Sequence, residues 1–280
     1  MKTYLDCYPC FLKQALSAAR RADASEEQQK DILLAAMNEL EALPSGSMPP
    51  DMAYKIHKLV REKTKNLDPY KQAKEQATQE ALDFYPQLKI KVESSVDPLE
   101  MAVRIAIAGN IIDLGVTESY DLESTLNRVL AQPFAINDLE VFRERLSAVN
   151  SILYLADNAG ETVFDRILIE QIDKPVTYAV KAGPIINDAT YEDAIAAGID
   201  QVAEIIDNGS QAPGTMFEKC SESFMQHFEQ AELIIAKGQA NYESLSDYSA
   251  PLFFLLQAKC NVIARDLGVS ETDIVLKKQL

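Results

Sequence analysis

The first half of the chain carries apolar residues at intervals of three and four positions, which places them on one face of an α-helix. The segment FLKQALSAARRA has this pattern. The segment SEEQQKDILLAAMNELEAL begins at Ser25 and has Gln28 three positions later, which predicts a capping box. The Pro/Gly/Ser linker PSGSMPP ends that helix, and the amphipathic segment DMAYKIHKLVREKT follows it.

A further helix is predicted over DPLEMAVRIAIAGNIIDLG. Asp97 stands at the N-cap position, Pro98 at the first helical position and Glu100 at the third, all of which favour a helix start. Two more helices are predicted near Leu122–Leu130 and Asn137–Ala148. Residues 1–150 are therefore predicted to form a helical region.

From Ser151 the pattern changes to short apolar runs separated by helical segments. The runs are SILYLA, KPVTYAV, QVAEII, AELIIAK and PLFFLLQAK, and the segments between them include ETVFDRILIEQI, DATYEDAIAAG and GTMFEKCSESFMQHFEQ. Alternation of buried strands with helices is typical of a parallel sheet covered on both faces. The predicted fold class is α/β: the N-terminal helical region, then a doubly wound, mostly parallel sheet in residues 151–280, a Rossmann-like three-layer α/β/α arrangement.

Charge and composition narrow the functional classes. The chain has 280 residues and is 47% hydrophobic, which fits one large domain or two modest ones. Its 27 Lys and Arg residues face 43 Asp and Glu residues, a formal net charge of −16. Such a surface repels nucleic-acid backbones and anionic lipid, so we expect neither as a partner. An anionic substrate would need a local cation, either a lysine or a metal ion.

The chain has no apolar run near the ~20 residues that a membrane span needs. Its start, MKTYLDCYPC, lacks the features of a signal peptide. With four cysteines in 280 residues, we expect reduced thiols and a cytoplasmic location. The Cys7-x-x-Cys10 pair leaves three interpretations open: structural packing, a redox pair, or a zinc site completed by other residues. Those residues would come from Cys220, Cys260, His57 and His227.

Ligands of open α/β sheets bind at the carboxyl ends of the strands, so the residues after each apolar run are candidates. Asp157 and Asn158 follow the first run directly. Acid, amide, glycine or lysine residues also follow the second, third and fourth runs: Asn187 and Asp188; Asp207, Asn208 and Gly209; then Lys237, Gly238, Asn241 and Glu243. The helical half adds Asn110 and Asp113, three positions apart on one helix face.

Oxygen donors of this type suit a hard or borderline divalent ion such as Mg or Mn, and a nearby lysine suits a phosphate. Each residue alone has a simpler interpretation. Asp188 can cap a helix, Asp157-Asn158 can form an Asx turn, and Lys237-Gly238 can be a plain strand exit. Asn110 and Asp113 can be polar groups at a helix end. Their coincidence at successive strand ends favours a ligand site.

Five segments in this order resemble one protein family: CYPC, AGNIIDLG, DNAGE, GPIINDAT and KGQANYE. Together they resemble the metal-dependent damage-control phosphatases, once known only as domain of unknown function 89, and their branch found mainly in archaea and bacteria. The resemblance runs from Cys7 to about Leu276. It implies that Asp157, Asn158 and Asp188 hold a divalent metal and that Lys237 binds the substrate phosphate.

Members of that family hydrolyse small phosphate esters, including sugar phosphates and phosphopantetheine or its damaged forms. The resemblance therefore implies a small phosphorylated metabolite as substrate, and we expect Mn, Mg, Co or Ni as the metal. It leaves open which metabolite is the substrate. The sequence does not specify an oligomeric state.

Local chemistry around DNAGE refines these expectations. Asp157 and Asn158 would give two adjacent oxygens to one ion, while Ala159 and Gly160 would keep side-chain bulk away from the phosphate. The helix that follows would offer backbone N–H donors to an anion. Glu161 either orients a water on the metal or favours the helix dipole. The predicted substrate-binding set is Lys237, Asn110, Asp113, Glu161, Gly160 and Asn241.

Other functions remain open at this point. A nucleotide- or S-adenosylmethionine-binding transferase would use LYLADNAGET as its first loop, but that loop has one glycine and no G-x-G-x-x-G. A haloacid-dehalogenase-like phosphatase needs a second acid two positions after the first, where this chain has Ala159. A non-enzymatic metal- or ligand-binding protein is the third alternative.

Overall fold

The computed structural model describes residues 1–109 and 122–279. In these ranges the α-helices are α1 Cys7–Arg21, α2 Glu26–Glu41, α3 Pro49–Thr64, α4 Lys71–Glu93, α5 Pro98–Gly109, α6 Leu122–Ala131, α7 Leu139–Ala148, α8 Thr162–Ile169, α9 Tyr191–Ala196, α10 Glu222–Gln230, α11 Gly238–Leu245 and α12 Asn261–Leu267. The strands are β1 Phe134–Asn137, β2 Ile152–Leu155, β3 Val176–Val180, β4 Glu204–Asp207, β5 Ile234–Lys237, β6 Leu252–Gln257 and β7 Ile274–Lys278.

The strands form one sheet in the order β1-β7-β6-β5-β2-β3-β4. Strands β2 to β6 are parallel to one another, while β7 runs antiparallel to β6 and β1 runs parallel to β7. The chain builds outward from β2 through β3 to β4 and then returns to place β5 on the other side of β2. The topological switch point therefore lies between β2 and β5, where open α/β sheets bind ligands.

The predicted α/β class with a mostly parallel sheet is confirmed. Five predicted runs are β2 to β6, whereas β1 and β7 were not predicted. Strand β1 also precedes residue 151, so the sheet takes a strand from the region predicted to be helical. The burial of β1 alternates between intermediate and exposed, which gives it no continuous apolar run.

Two predicted helix starts are confirmed. The Ser25 N–H donates to Gln28 Oε1 over 3.0 Å and the Gln28 N–H donates to Ser25 Oγ over 3.3 Å, which is the capping box. The N–H of Glu100 donates to Asp97 Oδ1 over 3.0 Å, so Asp97 caps α5. Both caps satisfy N–H groups that have no partner inside the helix.

The core forms on both faces of the sheet. Tyr154 and Ile235 pack on one face with Phe164 of α8, while Leu155 and Ile234 pack on the other. A separate cluster joins α1, α2 and α3 through a set of buried residues that includes Phe11, Ile32 and Ile56. Among the described helices, none is both long and apolar enough to cross a membrane.

Candidate functional site

The candidate site lies at the ends of β2 and β5. These strands are adjacent and parallel, with Leu155 opposite Ala236. Asp157 follows β2 after one residue, and Lys237 is the last residue of β5. The strand order therefore brings Asp157 and Lys237 to the same edge of the sheet, at the switch point.

The loops after β2 and β3 are bonded to each other. Asn158 and Asp188 form an isolated antiparallel bridge. The N–H of Ala159 donates to Asn187 O, and the N–H of Ala189 donates to Asp157 O, both over 2.8 Å. This pairing brings together Asp157, Asn158 and Asp188, the three residues predicted to hold a metal.

The structure does not support the simpler interpretation of Asp188 as a helix cap. Helix α9 begins at Tyr191, and its N-cap is Thr190, whose N–H donates to Asp193 Oδ2 over 2.9 Å. The loop before Asp188 is strained, because Ile186 has a φ of 45°, which β-branched residues rarely adopt. Strained backbone of this kind is found preferentially at functional sites.

The amide of Asn158 has a defined orientation. Its Nδ2 donates to Asp157 Oδ2 over 3.0 Å and to Glu161 Oε2 over 3.2 Å. Asp157, Asn158 and Glu161 are all buried. Because the amide nitrogen faces two acids, the carbonyl oxygen is the end of the side chain that is available to a cation.

The ammonium of Lys237 is fully enclosed. Its Nζ donates to Glu161 Oε1 over 2.6 Å, to Ala106 O over 2.9 Å and to Asp165 Oδ1. Burial opposes the positive charge, but Asp165 and Glu161 outweigh burial and raise the pKa of Lys237. These partners use all three N–H donors, so the predicted contact with a substrate phosphate would require Lys237 to exchange one of them.

Asp165 was not among the predicted site residues. Its Oδ1 accepts from Tyr154 Oη and its Oδ2 from Tyr178 Oη, both over 2.7 Å. The sequence does hold a signal for it, since Asp165 lies four positions after Glu161 and so shares its helix face. Its partners, however, come from β2, β3 and β5, which only the fold brings together.

Acidic groups crowd around Asp157. Burial, together with the carboxylates of Glu161 and Asp188, raises the pKa of Asp157 well above its usual range, while Lys259 and Lys181 act in the opposite direction. Lys181 Nζ lies 3.6 Å from Asp188 Oδ2 and donates to Gly214 O. Both lysines follow strands, β3 and β6, so the strand-end rule applied to cations would have found them.

Gly160 and Asn241 have structural surroundings that the sequence did not indicate. A Cβ at Gly160 would lie 2.9 Å from the Cβ of Ala77 and 3.1 Å from its backbone, so close packing on α4 explains this glycine. The expectation that Gly160 makes room for phosphate stays a prediction beside this packing role. Asn241 Nδ2 donates to Ala156 O and Lys237 O, and its Oδ1 accepts from Thr215, so its polar atoms join the ends of β2 and β5.

The other predicted residues are less informative. Asn110 and Asp113 lie outside the described residues. Cys7 packs against two of the apolar clusters, in agreement with the packing interpretation. Burial raises the pKa of both Cys7 and Cys10, which disfavours a reactive thiolate.

The donor set fits a hard divalent ion. Within residues 1–109 and 122–279, no group of three or more His, Cys, Asp and Glu side chains is arranged to hold a metal. The candidate set consists instead of two carboxylates and one amide, all oxygen donors of the kind that Mg²⁺ and Mn²⁺ accept beside water. Burial first, and then the carboxylates of Glu161 and Asp188, raise the pKa of Asp157, and a cation would offset the negative charge of these acids.

Comparison with known proteins agrees with the family that the sequence motifs resemble. The damage-control phosphatase ARMT1-like domain model matches residues 3–275. A damage-control phosphatase of Archaeoglobus fulgidus is 40% identical over 81% of each chain, and one of Pyrococcus horikoshii is 34% identical over 98% of this chain and 97% of its own. The crystal structure of the P. horikoshii protein, described as a domain of unknown function 89 family member, superposes with a TM-score of 0.92 at 33% identity and covers both chains completely. The chain belongs to the damage-control phosphatase ARMT1-like family.

Proposed function

We propose that this protein is a metal-dependent phosphatase that hydrolyses a small phosphate ester. Family membership supports phosphatase activity. The observation that carries the metal dependence is the backbone pairing of the β2 and β3 loops, which holds Asp157, Asn158 and Asp188 together. The same pairing gives a reason for the Asp-Asn sequence at the end of β2.

In this proposal Asp157, Asn158 and Asp188 hold a divalent ion, which is Mn, Mg, Co or Ni. When bound, such an ion supplies positive charge for the phosphoryl oxygens and lowers the pKa of water. The protein supplies the orientation: the two bonded loops fix the donors, and burial lowers the local polarity so that charges interact strongly.

The substrate in this proposal is a small phosphorylated metabolite. The net charge of −16 repels anions at long range, so the site must offset that field locally. Two lysines other than Lys237 lie near the proposed ligands: Lys181 beside Asp188, and Lys259, which is only partly buried. Together these two lysines add positive charge beside the proposed ligands, which offsets part of that field.

A screen of small phosphate esters against several divalent ions tests this proposal. Sugar phosphates, phosphopantetheine and a generic aryl phosphate would each be combined with Mn²⁺, Mg²⁺, Co²⁺ or Ni²⁺, and phosphate release would be measured. We expect hydrolysis of at least one ester with at least one ion. Absence of hydrolysis in every combination, with binding of S-adenosylmethionine in calorimetry, would favour the transferase alternative instead.

A further inference from the structure

Five buried side chains form a continuous polar network beneath Asn158. They are Tyr154, Tyr178, Asp165, Lys237 and Glu161, called here the Lys237 network. Each of them is 0% exposed. Burial of two carboxylates and an ammonium has a desolvation cost that pairing at best offsets, so stability alone does not explain this arrangement.

The contacts in the network form a continuous chain that leads from the sheet to the site. Tyr154 and Tyr178, from neighbouring strands, both donate to Asp165. Asp165 and the carbonyl of Ala106 fix the ammonium of Lys237. Lys237 then holds Glu161 Oε1 at 2.6 Å, which leaves Glu161 Oε2 to accept from Asn158 Nδ2 at 3.2 Å.

We propose that Glu161 and Lys237 are positioning residues that act through Asn158. This inference rests on the proposed metal-dependent function. Glu161 fixes the amide of Asn158 so that its oxygen, and not its nitrogen, is directed to the divalent ion, and Lys237 fixes Glu161. Partners behind a metal ligand orient it and set its affinity for the ion in this way.

The chemistry of an amide explains why such positioning is needed. The oxygen and nitrogen ends of Asn158 have nearly the same shape, so packing alone does not select one orientation. In the observed orientation Nδ2 donates to Asp157 and Glu161. The flipped orientation would place the amide oxygen against two acceptor oxygens and turn N–H groups toward a cation.

The network also bears on what Lys237 does. A lysine that only contacts the substrate phosphate leaves metal binding unchanged in the absence of substrate. A lysine that positions Asn158 through Glu161 changes metal binding even without substrate. Metal affinity measured without substrate therefore separates the two roles.

The test is a calorimetric titration of the whole chain with Mn²⁺, without substrate, on the wild type and Glu161→Gln. Gln keeps the shape of Glu, and its oxygen is expected to stay on the Lys237 ammonium, which leaves its NH₂ group facing the NH₂ group of Asn158. We expect Mn²⁺ affinity to fall about 10-fold or more, the usual effect of removing a partner behind a metal ligand. Tyr242→Phe is the matched control, because it removes the hydroxyl bond of another buried tyrosine, 2.8 Å from Tyr242 Oη to the exposed Asp266, outside the network. Its Mn²⁺ affinity should equal that of the wild type.

Lys237→Met and the double variant complete the experiment. Lys237→Met should weaken Mn²⁺ binding as well, and the double variant should bind no more weakly than the weaker single variant, because both changes break the same chain of contacts. Circular dichroism establishes that each variant is folded. If Lys237→Met does not fold, Glu161→Gln decides alone, since its shape is preserved.

Mn²⁺ affinity of Glu161→Gln equal to that of the wild type would overturn this inference and leave the proposed function intact. Loss of turnover in Lys237→Met with unchanged Mn²⁺ affinity would also overturn it, and would make Lys237 a substrate contact. A wild type that binds no divalent ion would overturn the proposed function and this inference together.

Discussion

Asp188 is predicted to be a metal ligand, and a single substitution distinguishes that role from a helix cap. Asp188→Asn keeps the shape and removes one negative charge, so we expect metal affinity to fall at least about tenfold while the free energy of unfolding changes little. At an effective dielectric constant of 20, two unit charges ~4 Å apart attract by about 4 kcal/mol, far more than a tenfold loss requires. Calorimetric titration with Mn²⁺ and denaturant unfolding measure the two quantities.

Asp193→Asn is the control for Asp188→Asn. Asp193 accepts from the N–H of Thr190 at the start of α9, and it also pairs with Lys74. We expect this control to lower stability and to leave metal affinity unchanged. Wild-type metal affinity in Asp188→Asn would contradict its assignment as a ligand.

The raised pKa of Glu243 predicts that the stability of the protein depends on pH. Burial raises the pKa of its carboxyl from 4.5 to about 7, although Gln239 and the N-terminal ammonium act in the opposite direction. The folded protein therefore keeps a proton that the unfolded chain loses near pH 4.5. This contribution to stability is complete below pH 4.5 and is lost as the pH rises through 7.

The substitution Glu243→Gln removes this titration. We expect the variant to gain stability relative to the wild type between pH 5 and 8, by up to about 3 kcal/mol. Urea unfolding across that pH range measures the difference between the two proteins. A difference that stays constant with pH would show that Glu243 has an ordinary pKa.

The rule that ligands bind at strand ends selected a set of candidate residues from the sequence, and the family resemblance assigned site roles to four of them: Asp157, Asn158, Asp188 and Lys237. The structure brings the first three together on paired loops and buries the fourth beneath them. The sequence did not predict Asp165, because the partners of its carboxylate come from three different strands. Local patterns specify which residues follow a strand, but not which strands become neighbours.

At the level of helices and strands, Gly160 lies where α4 meets the loop before α8. In Gly160→Ala the new methyl group would lie 2.9 Å from the Cβ of Ala77, so backbone must shift. We expect a loss of about 1–3 kcal/mol in the free energy of unfolding, the usual cost of overpacking. Denaturant unfolding measures it, and a second change, Ala77→Gly, should recover part of the loss.

A different result would support the prediction from the sequence that Gly160 makes room for the phosphate. If Gly160→Ala kept wild-type stability and lowered kcat/KM alone, the missing side chain would serve the approach of the phosphate. The close contact with Ala77 argues for packing.

The burial patterns of the strands explain which of them were predicted. Strand β6, buried at all six positions, is a continuous apolar run and was recognised as a strand. Strand β1 alternates between intermediate and exposed positions, and it is stabilised by pairing with β7 from the far end of the chain. Pairing over such a distance leaves no local pattern in β1, which was therefore missed. Strand β7 does begin with three buried apolar residues, but this run was too short to be recognised as a strand.

In the whole molecule, the helical region takes part in the site. Ala106 of α5 accepts from the buried ammonium of Lys237, Ala77 of α4 covers Gly160, and Arg61 of α3 donates to Pro184 O over 3.1 Å in the loop that carries Asp188. The sheet and the helices therefore enclose the site jointly. A boundary near residue 150 separates two patterns in the sequence, but the contacts that define the site cross it.

In the proposed function, hydrolysis depends on a divalent ion held by Asp157, Asn158 and Asp188. The most direct test measures hydrolysis of an aryl phosphate by the protein after chelation and removal of the chelator, with the metal content determined by elemental analysis. We expect no turnover in the metal-free protein and restored turnover on addition of Mn²⁺, Mg²⁺, Co²⁺ or Ni²⁺, because the phosphoryl oxygens then regain their positive partner. Full activity in protein shown to be free of metal would contradict this metal dependence.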